Sequence, residues 1–162
     1  MEHSNERIEE SEDLYAASLD VIADDLRSKL RASRVTIRIA NDKGEFPVVA
    51  EARLPGVQTL FGVTTIDPRA GETFLFVERE LRPVVQDDIL LDELAPPPGF
   101  SVRYGARAQM LAPVVRGGRL LGVVSVHQVD APRHWSISDL AILKLAAESA
   151  QCVVAEDRDE SS

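Results

Sequence analysis

Apolar residues recur along this chain with two different periods, and the switches between them mark out its elements. Leu19, Ile22, Leu26 and Leu30 stand at helical spacing within residues 13–31, with Leu14 and Val21 beside them, which predicts an amphipathic helix. The period then drops to two. Over residues 34–42, Val35, Ile37 and Ile39 alternate with Arg34, Thr36 and Arg38, the pattern of a strand with one face in water. The turn Asn41-Asp42-Lys43-Gly44 leads into a hairpin partner over 46–54, and Pro47 places that partner at one side of a sheet. Residues 55–66 carry no clear period and read as a loop. Asp67 before Pro68 has the character of a helix cap with proline at the first helical position. Phe74, Val77 and Leu81 then continue at helical spacing until Pro83 stops the run. Residues 83–88 are a short strand candidate. The stretch from 89 to 105, with three consecutive prolines and two glycines, is an irregular excursion with one helical turn near Tyr104.

Residues 107–127 hold two apolar runs joined at Gly117-Gly118, which predicts a hairpin. A bulge-free register opposes Met110 to Ser125 and Ala108 to His127 on one face, and Leu111 to Val124 and Gln109 to Val126 on the other. Neither face is polar, so both must be covered. The last element is a helix from Ser136 to about Glu156. Ser136 is its cap, Asp139 the reciprocal partner, and Trp135 packs on Leu140 as a staple. This helix has two apolar rows: Leu140, Leu143, Ala147, Ala150 and Val154 form one, and Ile142, Leu145, Ala146, Ser149 and Val153 the other. Such a helix is either deeply buried or shared between a sheet and a partner, which predicts a homodimer through the terminal helices.

Length and charge narrow the class. With 162 residues and 44% hydrophobic content, the chain can bury roughly 70% of its unfolded surface in a single domain. Residues 1–12 and 156–162 are read as acidic tails around one domain over 13–155. Residues 1–13 and 156–162 together hold ten of the 27 acids and two of the 18 bases, leaving 17 acids against 16 bases elsewhere. A nearly neutral body without a basic stripe argues against nucleic acid. The single cysteine, Cys152, forms no intrachain disulfide, and no stretch reads as a signal peptide or membrane span. A cytoplasmic setting is expected.

The segments LAPVVRGGRLLGVVSVH (111–127) and PRHWSISDLAILKLAA (132–147) resemble the closing unit of the GAF domain family: a strand with a mid-strand proline, a glycine turn, and an aromatic-Ser-x-x-Asp helix start. The resemblance extends over about residues 13–155. It implies an α+β, PAS-related fold, with a central antiparallel sheet, the N- and C-terminal helices on one face and a variable helix and loop segment over the other. It also implies a small-molecule pocket beneath that segment. Several specialised members of the family do not fit. The methionine-sulfoxide reductases need several cysteines, the phytochrome-type members need a thioether cysteine near the middle segment, and the cyclic-nucleotide signature is missing. Haem-binding members would leave His127 as the axial candidate.

Within the expected pocket, Tyr104, Arg107, Gln109, Ser125 and His127 are the candidate ligand-binding residues. A hydroxyl, a guanidinium and an amide converging on an apolar space suit a small carboxylate or aromatic acid. Asp87 and Asp88 are better read as caps of the next turn. His127, Asp130 and His134 match no metal spacing, and no metal or other cofactor is expected. No nucleophile pairs with a base, and there is no GxSxG elbow, phosphate loop or HExxH. The expectation is a non-catalytic sensory or regulatory module. The alternatives are an interaction module with a closed cavity and a small enzyme of unassigned chemistry.

Overall fold

The alternation that begins after residue 33 builds a five-stranded antiparallel sheet. The structure is a computed structural model that describes residues 2–160. Its strands are β1 (Arg34–Ile39), β2 (Val48–Arg53), β3 (Val84–Gln86), β4 (Ala106–Arg116) and β5 (Arg119–Val129), in the order β2-β1-β5-β4-β3. The helices are α1 (Glu2–Leu30), α2 (Glu72–Glu80), α3 (Phe100–Tyr104) and α4 (Ile137–Glu160). β2 is an edge strand, as Pro47 predicts. Two helices exceed their predicted extent: α1 continues back through the acidic segment to Glu2, and α4 runs on to Glu160.

One face of the sheet carries the main core. Val35, Ile37, Ala108, Met110, Ala112, Val114, Val124 and Val126 pack against Leu19, Ala23, Leu26 and Leu30 of α1 and Leu143, Ala147, Ala150 and Val154 of α4. The two helices lie side by side here. The α4 cap forms as expected: Asp139 N–H donates to Ser136 Oγ and Ser136 N–H to Asp139 Oδ2, both at 3.0 Å. One apolar row of α4 lies inside this core, and from the other Ile142, Ala146 and Val153 pack half-buried at its edge. Leu143 is fully buried, whereas Leu145 in the other row is 63% exposed.

The opposite face is covered by residues 55–104, which contribute two smaller clusters. One joins Phe46, Phe74 and Val77 to Leu111 and Val123, and the other joins Leu60, Ile66, Ile89 and Phe100. This overturns the reading of β1 as half in water, because Arg34 and Thr36 are buried. Their face looks into the covered side of the sheet.

The β4/β5 hairpin turns at Gly117-Gly118, but a register shift between Val114 and Val115 replaces the bulge-free pairing. Below the shift Leu111 opposes Ser125 and Gln109 opposes His127. The bulge therefore moves Ser125 and His127 to the face that holds Gln109. Where β1 crosses β5, a Cβ on Gly122 would collide with the Arg38 carbonyl, so glycine here lets the two strands close around Arg38.

Candidate functional site

Three neighbouring strands aim their second face at one partly open space. Thr36 and Arg38 come from β1, Gln109 and Leu111 from β4, and Val123, Ser125 and His127 from β5. Leu60, Ile66, Pro68, Thr73, Phe74, Pro97 and Phe100 close it from above. The cavity is about 40 Å³, room for roughly three waters. Three of the five sequence candidates, Gln109, Ser125 and His127, thus meet on its wall.

The other two do not reach it. Arg107 makes a bidentate pair with Asp88, Nε to Oδ1 at 2.8 Å and Nη2 to Oδ2 at 2.9 Å. Asp88 also caps the turn at Ile89–Leu91. Tyr104 contributes its backbone carbonyl as an acceptor and packs with the cluster around Phe100. Arg107 is therefore a fastener of the covering segment. Gln109 acts partly in the same way: its amide donates to Gln86 Oε1, and Gln86 donates to the Leu94 carbonyl, both at 2.7 Å. The Trp135 indole donates to the Gln86 carbonyl, tying the start of α4 to the same strand. His134 pairs with Asp87 at 2.8 Å, so this histidine helps hold the approach to α4.

The residues missed from sequence are the two arginines of β1. Arg34 is completely buried. Its Nε donates to His127 Nδ1 at 2.9 Å, and its Nη1 donates to the carbonyls of Gln58 at 2.8 Å and Tyr104 at 3.2 Å, while Nη2 has no partner. It therefore fastens both covering segments to the sheet floor. Burial pushes its pKa down to about 10, against the pull of Glu51 and Tyr104 in the other direction.

Arg38 differs in kind. Its one hydrogen bond among the described residues runs from Nη1 to the Phe46 carbonyl at 2.8 Å, and it forms no ion pair there. Burial alone lowers its pKa to about 10. Beside it, the hydroxyls of Thr36, Thr73 and Ser125 make no protein hydrogen bond among the described residues. A half-buried cation without a counterion, next to free hydroxyls, is a costly arrangement that an anion would relieve.

His127 completes the wall, and its tautomer follows from its neighbour. Arginine can only donate, so Nδ1 accepts and the proton of the neutral ring sits on Nε2. Nε2 is then a donor and offers no lone pair to a metal, which counts against His127 as a haem ligand. Burial, then Arg34 and Arg38, hold its pKa well below the ordinary histidine value. The native state thus resists a proton that the unfolded chain accepts, and stability should fall as pH drops below about 6.5. We expect a progressive loss of stability as the pH is lowered from 6.5, read from urea unfolding, with a flatter profile in His127→Asn. An equal slope in that variant would assign the pH dependence elsewhere.

With this geometry in hand, the chain can be set beside known proteins. The family model described as GAF domain matches residues 16–153. A Synechocystis sp. protein named as a methyl-accepting chemotaxis protein is 27% identical over 122 residues, which is 75% of this chain. This chain spans only 12% of that protein. The blue-light absorbing form of the Thermosynechococcus elongatus PixJ GAF domain superposes with a TM-score of 0.73 at 19% identity, covering 93% of both chains. The GAF domain of a phosphoenolpyruvate-protein phosphotransferase from Coxiella burnetii gives 0.73 at 20% identity, covering 91% of this chain and 86% of that one.

Proposed function

Because this chain belongs to the GAF domain family, we propose that it is a non-catalytic sensory or regulatory module whose cavity takes the carboxylate of a small organic acid. The observation that carries the reading is Arg38: a half-buried guanidinium on the cavity wall with no carboxylate partner among the described residues. A planar carboxylate fits the donor fork of arginine, and the free hydroxyls of Thr36 and Ser125 supply further donors. A binding role is further supported by His127. Its only basic nitrogen is occupied by Arg34, so it is not available to activate the Ser125 hydroxyl. Two of the similar solved structures are a GAF domain in a blue-light absorbing form and a GAF domain from a phosphoenolpyruvate-protein phosphotransferase, so the fold occurs in proteins of different kinds. For this chain a bilin held through a thioether is disfavoured, since Cys152 is exposed on α4. The same single thiol suits a cytoplasmic setting, and among the described residues no helix is long and apolar enough to cross a membrane.

Calorimetric melting in the presence of benzoate and of benzamide tests the reading. A ligand selective for the native state raises the melting temperature, so benzoate should raise it and the uncharged amide should not. Equal effects of the two would remove the anion. The small cavity favours one second reading, an interaction module with a closed interior. That reading predicts no shift with either compound.

The module is further proposed to work as a homodimer through α1 and α4. Leu14 and Val21 of α1 and Leu145 of α4 are 69%, 66% and 63% exposed, large apolar side chains on the two terminal helices that the fold itself leaves uncovered. Leu145→Glu should reduce the mass measured by light scattering to that of a monomer with little change in melting temperature. A wild-type monomer would end the proposal. Leu143 is unsuitable for this test, because it lies in the core.

A further inference from the structure

We infer that the cavity is the inner end of a longer site, and that its ligand is an elongated carboxylate whose head meets Arg38 while its apolar body lies in an outer groove. The groove runs between the β1–β2 turn and residues 63–69. This rests on the assignment of the cavity as an anion site, and adds the shape of the molecule and its route.

Arg38, Ile66 and Pro68 border both the cavity and the groove, so Arg38 stands at the neck between them. The two spaces differ greatly in size. The cavity, at about 40 Å³, admits a carboxylate head but not an aromatic ring or a longer chain. The groove is about 450 Å³, within the range of ordinary small-molecule sites. A ligand that reaches Arg38 must therefore leave its bulk outside, where Phe46, Pro47 and Val63 offer an apolar wall.

The charges around the groove point the same way. Asp67 is committed to the Arg69 N–H as a helix cap, and Glu45 accepts from the Asn41 amide. Arg69 is neutralised by a bidentate pair with Glu78 and also donates to the Gly44 carbonyl, with its guanidinium 5.1 Å from the centre of the Phe46 ring. Among the described residues lining the groove, Arg38 is the cation left without a carboxylate. The amphipathic layout, an apolar wall ending at one unpaired cation, matches an apolar acid and not a neutral or cationic molecule.

Titration of the full chain with acetate, phenylacetate and phenylacetamide, followed by two-dimensional NMR, tests this. Phenylacetate should bind at least tenfold tighter than acetate and move the backbone amides of Thr64 and Asn41, which acetate leaves in place. Val63→Asn should weaken phenylacetate several-fold without changing acetate. Equal affinities for the two acids with no response at Thr64 would overturn the longer site while leaving the anion site intact. Phenylacetamide binding as well as phenylacetate would also overturn it, because the head would then contribute nothing. If neither acid perturbs Arg38, the inference falls together with the anion reading.

Discussion

Replacing Arg38 by methionine should cut the affinity for benzoate about 100-fold, equivalent to about 3 kcal/mol, while leaving the unliganded fold as stable as before or more so. The two halves of this expectation share one cause. In the empty protein the guanidinium is half-buried, holds one carbonyl and faces no carboxylate, so its desolvation is offset by little. Methionine fills a similar volume without that cost. In the complex the same guanidinium supplies the charge-assisted, bidentate hydrogen bonds that methionine lacks. Calorimetric titration and urea unfolding of the same variant read the two quantities. A variant that loses stability and keeps its affinity would show that Arg38 serves the fold.

The same substitution four residues earlier should act in the opposite direction. Arg34→Met should destabilise the protein by about 3 kcal/mol, because it strands the buried Nδ1 of His127 and takes the donor from the half-buried carbonyls of Gln58 and Tyr104. Removing a desolvated cation offsets part of that loss, which keeps the figure below the sum of three hydrogen bonds. For a domain of this size the melting temperature should drop by roughly 6 to 12 °C. Lysine should not rescue it, since its single nitrogen cannot span the fork that reaches His127 and both carbonyls. Amide exchange should also accelerate at Leu60 and Gly105, where the covering segments are pinned. Unchanged stability in Arg34→Met would contradict the role of Arg34 as their fastener.

These two arginines also mark the limit of what the sequence disclosed. The α4 cap, the edge position of β2, the hairpin at Gly117-Gly118 and the covering of its second face all follow from local patterns and appear in the structure. The polar side of β1 is ambiguous in sequence because alternation looks the same whether the polar residues face water or a polar-walled cavity. A signal was nevertheless present. A hairpin apolar on both faces requires the sheet to be covered, and β1 sits inside that sheet beside β5. Arg107 was singled out by its place near the end of the irregular segment, but its pairing with Asp88 depends on how residues 88–107 fold back, which no local period encodes. The bulge at Val114/Val115 leaves Leu121 as the extra residue on β5 beside Gly122, and a single glycine in a strand does not say where a register shifts, so the union of Gln109, Ser125 and His127 on one wall comes from the register itself.

A carboxylate bound in the space beside Arg38 must perturb the Nε–H signal of that residue. The resonance can be assigned by its loss in Arg38→Lys and followed as benzoate is added. The Arg38 signal should shift saturably, with the same midpoint as the rise in melting temperature and no response to benzamide. An Arg38 signal that stays in place while benzoate stabilises the protein would contradict carboxylate binding beside Arg38.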